Sequence, residues 1–152
     1  MDSQLRKTFL TFAIALSLFA GLVSARDHQR LNGTWNLAAA RSEFGGEPAI
    51  QTGTVTIYDR EHNIYVSRNF SFDDANQSVS YSYKTDAREN HSIREGKTFK
   101  SKAKWEGDAL KVVSTADNIT STELYRLNPD GTLTLTVERP GHATANLLFE
   151  RQ

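Results

Sequence analysis

Leu31-Asn32-Gly33-Thr34-Trp35-Asn36-Leu37 decides how the rest of this chain is read. The Gly33-x-Trp35 pair stands at the start of a first strand. As a motif it is short and common by chance, and its weight comes from position. It follows a leader-like segment, and a strand pattern of about 115 residues runs from it to the C-terminus, the length a small barrel needs.

From Thr52 onward, apolar and polar residues alternate with a period of two, and no segment keeps helical periodicity for more than a turn. The chain is therefore expected to be all-β, and its turns set the register of one hairpin after another. A two-residue loop Gly107-Asp108 pairs Trp105 with Leu110, Ala103 with Val112 and Ser101 with Ser114 on one face, leaving Lys100, Lys102, Lys104 and Lys111 on the other. Asp117-Asn118 carries that face to Ser121, Glu123 and Tyr125. Pro129-Asp130-Gly131, with glycine in the left-handed position, then sets Tyr125 against Leu135, Glu123 against Val137 and Ser121 against Arg139. Pro140-Gly141-His142 leaves Arg139 beside Ala143, Val137 beside Ala145, Leu135 beside Leu147 and Leu133 beside Phe149. In the first half, Arg60-Glu61 as a loop pairs Ile57 with Ile64 and Val55 with Val66, and Ala75-Asn76 pairs Phe70 with Tyr81 and Arg68 with Tyr83. The pattern blurs between Thr85 and Phe99, where a short strand at His91 to Arg94 is expected. The linker from Ala39 to Gln51 contains Gly45-Gly46 and Pro48 and is expected to be a loop with at most one helical turn.

Residues 1–25 read as a secretory signal: Arg6 and Lys7, an apolar run from Thr8 to Leu22, and Val23-Ser24-Ala25 as the cleavage site. The apolar run is short for a membrane span, so no stable anchor is expected after cleavage. The mature chain, residues 26–152, keeps 16 of the 18 basic and 17 of the 18 acidic residues, a net of −1, which gives no reason to expect nucleic acid. Cysteine is absent, which excludes disulfides, thiol catalysis and cysteine-based zinc sites. Export without disulfides fits a secreted or periplasmic protein of bacterial type. In a eukaryotic source, the sequons at Asn32, Asn69, Asn76, Asn90 and Asn118 would be glycosylation acceptors. A mature domain of 127 residues buries an adequate core unaided, so one monomeric domain is expected.

Lys104-Trp105-Glu106-Gly107-Asp108 and Arg126-Leu127-Asn128-Pro129-Asp130-Gly131 resemble the Lys-Trp-x-Gly and Arg-x-x-x-Asp-Gly hairpins of the fatty-acid-binding proteins. Leu31 to Phe44 is similar to the opening segment of that family, and Gly33-x-Trp35 to the opening motif of calycins generally. The resemblance implies a single up-and-down antiparallel β-barrel, lipocalin-like, of about eight to ten strands. It also implies that Arg151 plays the part of the lipocalin arginine lying across the motif tryptophan, here Trp35. Two departures stand out. Leu147-Leu148-Phe149 occupies the place of the family's Arg-x-Tyr carboxylate site, and the Ala39–Gln51 linker is too short for a paired helical lid.

Trp105, Leu110, Tyr125, Leu135 and Leu147 form one inward level that should be packed shut. The next levels hold small residues together with charge: Ala103, Val112, Glu123, Val137 and Ala145, then Ser101, Ser114, Ser121, Arg139 and Ala143. Glu123 and Arg139 are expected to form a diagonal charged pair in that space. Arg68 interrupts the facing wall, where it either anchors an anionic ligand group or is satisfied internally by Glu123, Tyr83 or water. The candidate ligand-binding set is thus Arg68, Tyr83, Ser101, Ser114, Ser121, Glu123 and Arg139. Trp35 and Trp105 are both expected to be buried. His28, His62, His91 and His142 lack metal-ligand spacing, and no catalytic motif or cofactor signature occurs. The leading reading is a carrier of a small hydrophobic or amphiphilic molecule. A filled barrel acting as a protein-interaction or inhibitor module is the second. An enzyme using Glu123 as acid or base is third, since no nucleophile or metal accompanies it, and a non-enzyme is expected.

Overall fold

Among the described residues ten strands follow one another in one antiparallel sheet, and each hydrogen-bonds to the next along the chain except β4 to β5. They are β1 (Gly33–Leu37), β2 (Thr52–Arg60), β3 (Asn63–Ser71), β4 (Asn76–Lys84), β5 (Asp86–Arg94), β6 (Lys97–Glu106), β7 (Ala109–Ala116), β8 (Ile119–Leu127), β9 (Leu133–Glu138) and β10 (Ala145–Arg151). This computed structural model describes residues 28–94 and 96–152. The expected signal segment lies outside the described residues. The sheet order runs β4-β3-β2-β1-β10-β9-β8-β7-β6-β5, so the first and last strands of the chain pair with each other and bring the sheet round on itself. Its two edges are β4 and β5, joined by Thr85 alone, yet no ladder joins them. The result is an up-and-down barrel with one unzipped seam.

The second half has the register that its turns dictate. Trp105 pairs with Leu110, Ser101 with Ser114, Ser114 with Ser121, Val112 with Glu123, Tyr125 with Leu135 and Leu135 with Leu147. The first half keeps its faces but not its partners. The β2–β3 turn is Glu61-His62, both in the left-handed region, so Ile57 pairs with Val66 rather than Ile64. The β3–β4 turn spans Phe72 to Ala75, so Arg68 pairs with Val79 rather than Tyr83, and Phe70 with Gln77 rather than Tyr81. Both shifts are even, by two and by four residues, and an even shift leaves every side chain on its own face. β5 is longer than expected, with a bulge between Asp86 and Glu89 where Ala87 takes a positive φ. The linker after β1 contains a single 3-10 turn, Ala39–Arg41, and no helical pair.

One end of the barrel is sealed. The 3-10 turn Gln29–Leu31 buries Leu31, and Trp35 lies fully buried with its indole Nε1 donating to the Leu31 carbonyl at 2.9 Å. Trp35 pairs with Arg151 across β1 and β10, and the Arg151 guanidinium sits 4.2 Å above the indole ring. Its two terminal nitrogens donate to the carbonyls of Asn32, at 2.8 Å, and Arg30, at 2.5 Å. Gly33 makes this possible: a Cβ there would lie 2.7 Å from Arg151 Nη1, and its φ of +139° suits no other residue well. Trp105 departs from expectation. It is only partly buried, because it lies at the rim beside the Gly107-Asp108 turn, and the His28 imidazole covers it in a parallel stack at 3.8 Å.

Candidate binding site

The opposite half of the lumen holds the polar residues. Strands β3, β4, β6, β7 and β8 alternate there, pointing Arg68, Val79, Tyr81, Tyr83, Ser101, Ser114, Ser121 and Glu123 inward on a scaffold of Val66, Ala103 and Val112. Arg68 is buried and donates through one terminal nitrogen to both the Glu123 carboxylate and the Tyr125 hydroxyl. Tyr125 in turn donates to Glu123 at 3.2 Å, closing a three-membered knot. The guanidinium also lies near the rings of Tyr81, at 5.2 Å, and Tyr125, at 5.6 Å. Arg68 Nε is buried with no hydrogen-bond partner.

Burial works against the Arg68 charge. The adjacent Glu123 charge, with smaller contributions from Tyr125, a Glu123 hydrogen bond and Tyr81, outweighs it and holds the guanidinium pKa well above its ordinary value. Burial pushes the Tyr125 phenol well above the usual range; Arg68 opposes this and Glu123 adds to it. The Tyr83 phenol is also pushed up, first by burial and then by Glu123. Both phenols therefore stay protonated, and Tyr125 is available as a donor. Tyr83 itself makes a ring stack with Tyr81, at 5.8 Å, rather than a bond to Arg68. Ser101 is buried and shares a 2.8 Å hydrogen bond with Ser114, while Ser121 faces Ser114 across the β7–β8 ladder.

Arg139 does not belong to this group. The β9 ladder ends at Glu138, so Arg139 is no longer held to the inward alternation; it is exposed, 3.9 Å from Glu47 of the linker. With Thr120, Thr122, Glu138, Pro140, His142 and Thr144 it lines an outer groove of about 290 Å³. The Glu123–Arg139 pair is thus replaced by Glu123–Arg68. A larger groove, about 540 Å³, runs across outward-facing Asn36, Thr54, Asn69 and Ser78 to the rim residues Leu37, Gly53 and Phe70.

One inward cation escaped the sequence reading. Arg94, at the end of β5, alternates with Ile93, which is 77% exposed, and lays its guanidinium 4.0 Å from the Tyr81 ring centroid and 4.3 Å from that of Phe99. Its Nη2 is buried without a partner. The missed signal was the pairing of Ser92 with Phe99, which fixes Arg94 on the inner face. Among the described residues, no three His, Cys, Asp or Glu side chains converge as a metal site would require.

The chain matches no family model and no curated protein. Solved structures do resemble it. The fluorescent protein UnaG superposes with a TM-score of 0.66 at 20% identity, covering 82% of this chain and 98% of that one. A fatty acid binding protein of Schistosoma mansoni, solved with arachidonic acid, gives 0.64 at 17% identity over 83% and 98%. Secretory abundant heat soluble protein 4 of Ramazzottius varieornatus gives 0.64 at 16% identity over 82% and 96%. The closed end, the ten-stranded order and these likenesses together show that the chain folds as a small calycin-like barrel of the fatty-acid-binding-protein type.

Proposed function

We propose that this protein is an exported, lipocalin-like carrier of a small amphiphile, which it holds in the open half of the barrel lumen. One observation carries the reading. Glu123 points into the barrel yet keeps 19% of its side chain in contact with solvent, and inward-facing Val79, Tyr81, Phe99, Ser114 and Ser121 are likewise only half-buried. The wall around them combines aromatic surface with a few fixed polar groups, the composition of a small-molecule site. The fold supports it: a fatty acid binding protein solved with arachidonic acid shares this architecture. Arg68 is bound within its own knot, so it shapes the floor of the site.

Native mass spectrometry of the protein purified from its source tests the reading. A small molecule of amphiphilic class should travel with the protein and be lost on delipidation. Protein that carries nothing and takes up no amphiphile afterwards would sink it. The other reading, a protein-interaction module, draws on Tyr58 and Tyr65, which face each other across β2 and β3 on the outer surface, 53% and 48% exposed. The same purification would then return a protein partner in place of a small molecule.

A further inference from the structure

We propose that Arg94 receives the anionic headgroup of the ligand at the mouth of the barrel; this rests on the lumen-carrier reading. Among the described residues three charged side chains face inward in the open half: Arg68, Arg94 and Glu123. Arg68 and Glu123 pair their charges, which leaves Arg94 as the uncompensated one. Among the described residues no carboxylate lies within salt-bridge distance of it, and its Nη2 is buried and unpartnered. One nitrogen of the guanidinium is thus withdrawn from water without a partner, while the side chain as a whole stays half-buried and within reach of a ligand anion.

The stacking geometry says where the anion goes. Tyr81 of β4 and Phe99 of β6 both lie close to the guanidinium, within 4.3 Å of its carbon, so the side chain bridges the unzipped seam from β5. Rings occupy its faces, which leaves the N–H edge. That edge is the part of an arginine that binds a carboxylate in two parallel hydrogen bonds. The hairpin bearing Arg94 turns at Gly96 and lies at the same end as the Asp117-Asn118 turn, joined to it by the Lys97–Asp117 pair at 2.9 Å. Its position places the headgroup at the mouth, with the apolar tail running down past Ser114 toward Val112 and the Arg68 knot. The ligand class is a long-chain monocarboxylate or an equivalent monoanion.

The test is displacement of the uncharged fluorophore Nile red by a long-chain carboxylic acid and by the alcohol of the same chain. The parent protein should prefer the acid by roughly tenfold, the worth of one charge-assisted contact. Arg94→Gln should bring the ratio close to one while leaving the alcohol's affinity unchanged; Arg94→Lys should retain part of the preference, and Arg139→Gln all of it. Melting curves of each variant show that the barrel is intact. An acid preference that survives Arg94→Gln, or a parent protein that never had one, overturns the assignment while the carrier reading stands. A parent protein from which neither compound displaces the fluorophore, or that binds none, overturns both.

Discussion

Replacing Arg68 by methionine strands the Glu123 carboxylate beside Tyr125 in the middle of the barrel. Breaking a buried ion pair by deleting one partner costs about 3–5 kcal/mol, because the survivor keeps its desolvation penalty without its attraction. Glu123 retains 19% of its side-chain surface and a hydrogen bond from Tyr125, so the lower end applies, about 3 kcal/mol. For a domain of this size that is a fall of roughly 10 °C in melting temperature. Urea unfolding followed by tryptophan fluorescence measures it, since Trp35 is fully buried in the folded chain. A further result follows from the same geometry. Replacing the whole knot, Arg68→Met with Glu123→Leu and Tyr125→Phe, removes every group that needs a partner and should restore stability to within about 1 kcal/mol. An Arg68→Met protein as stable as its parent, or a triple variant no more stable than Arg68→Met alone, would refute the knot as described.

Arg151→Ala should cost about 1–2 kcal/mol, through two carbonyl hydrogen bonds and the stack on Trp35, and should shift the Trp35 emission; an unchanged denaturation midpoint would count against that role. Gly33→Ala should cost about 1–3 kcal/mol, and less in the Arg151→Ala background, because its new Cβ collides with Arg151 Nη1; strictly additive losses would show that the collision is not the cause. Tyr83 and Tyr125 both have pKa values raised above the ordinary 10.0, so the unfolded chain gives up these protons first and stability falls as pH rises past about 10. In a tyrosinate absorbance titration these two should ionise only with unfolding, and ionisation of all five tyrosines in the folded state would contradict it.

The barrel and its second half were legible because their turns are short and chemically marked. Gly107, Asn118 and Gly131 all take the positive φ that their positions demand, and each loop length fixes the parity of the next strand. Glu61 and His62 take the same conformation without any residue type announcing it, and the Phe72–Ala75 turn carries no glycine, so partners there slipped while faces survived. Arg94 stands in the strand expected at His91 to Arg94, but its face was not assigned, because the bulge at Ala87 breaks the alternation that would carry the parity of β4 into β5. Arg139 was misplaced because alternation was carried one residue past the last rung of the β8–β9 ladder, at Glu138, where nothing enforces it. Arg68, Glu123 and the serines stand inside as their parity required, and Ser101 meets Ser114 as their register required, but that Arg68 meets Glu123 rather than Tyr83 was not readable, since contact across a barrel depends on curvature rather than register.

The central claim, that an amphiphile enters the lumen, is tested most directly by mapping amide chemical shifts as a long-chain carboxylic acid is titrated in. Shifts should concentrate on the strands around Arg68, Tyr81, Arg94, Ser114 and Glu123, whose side chains face the open half of the barrel. Shifts confined to the outer groove at Asn36, Thr54, Asn69 and Ser78, or no shifts at all, would contradict it.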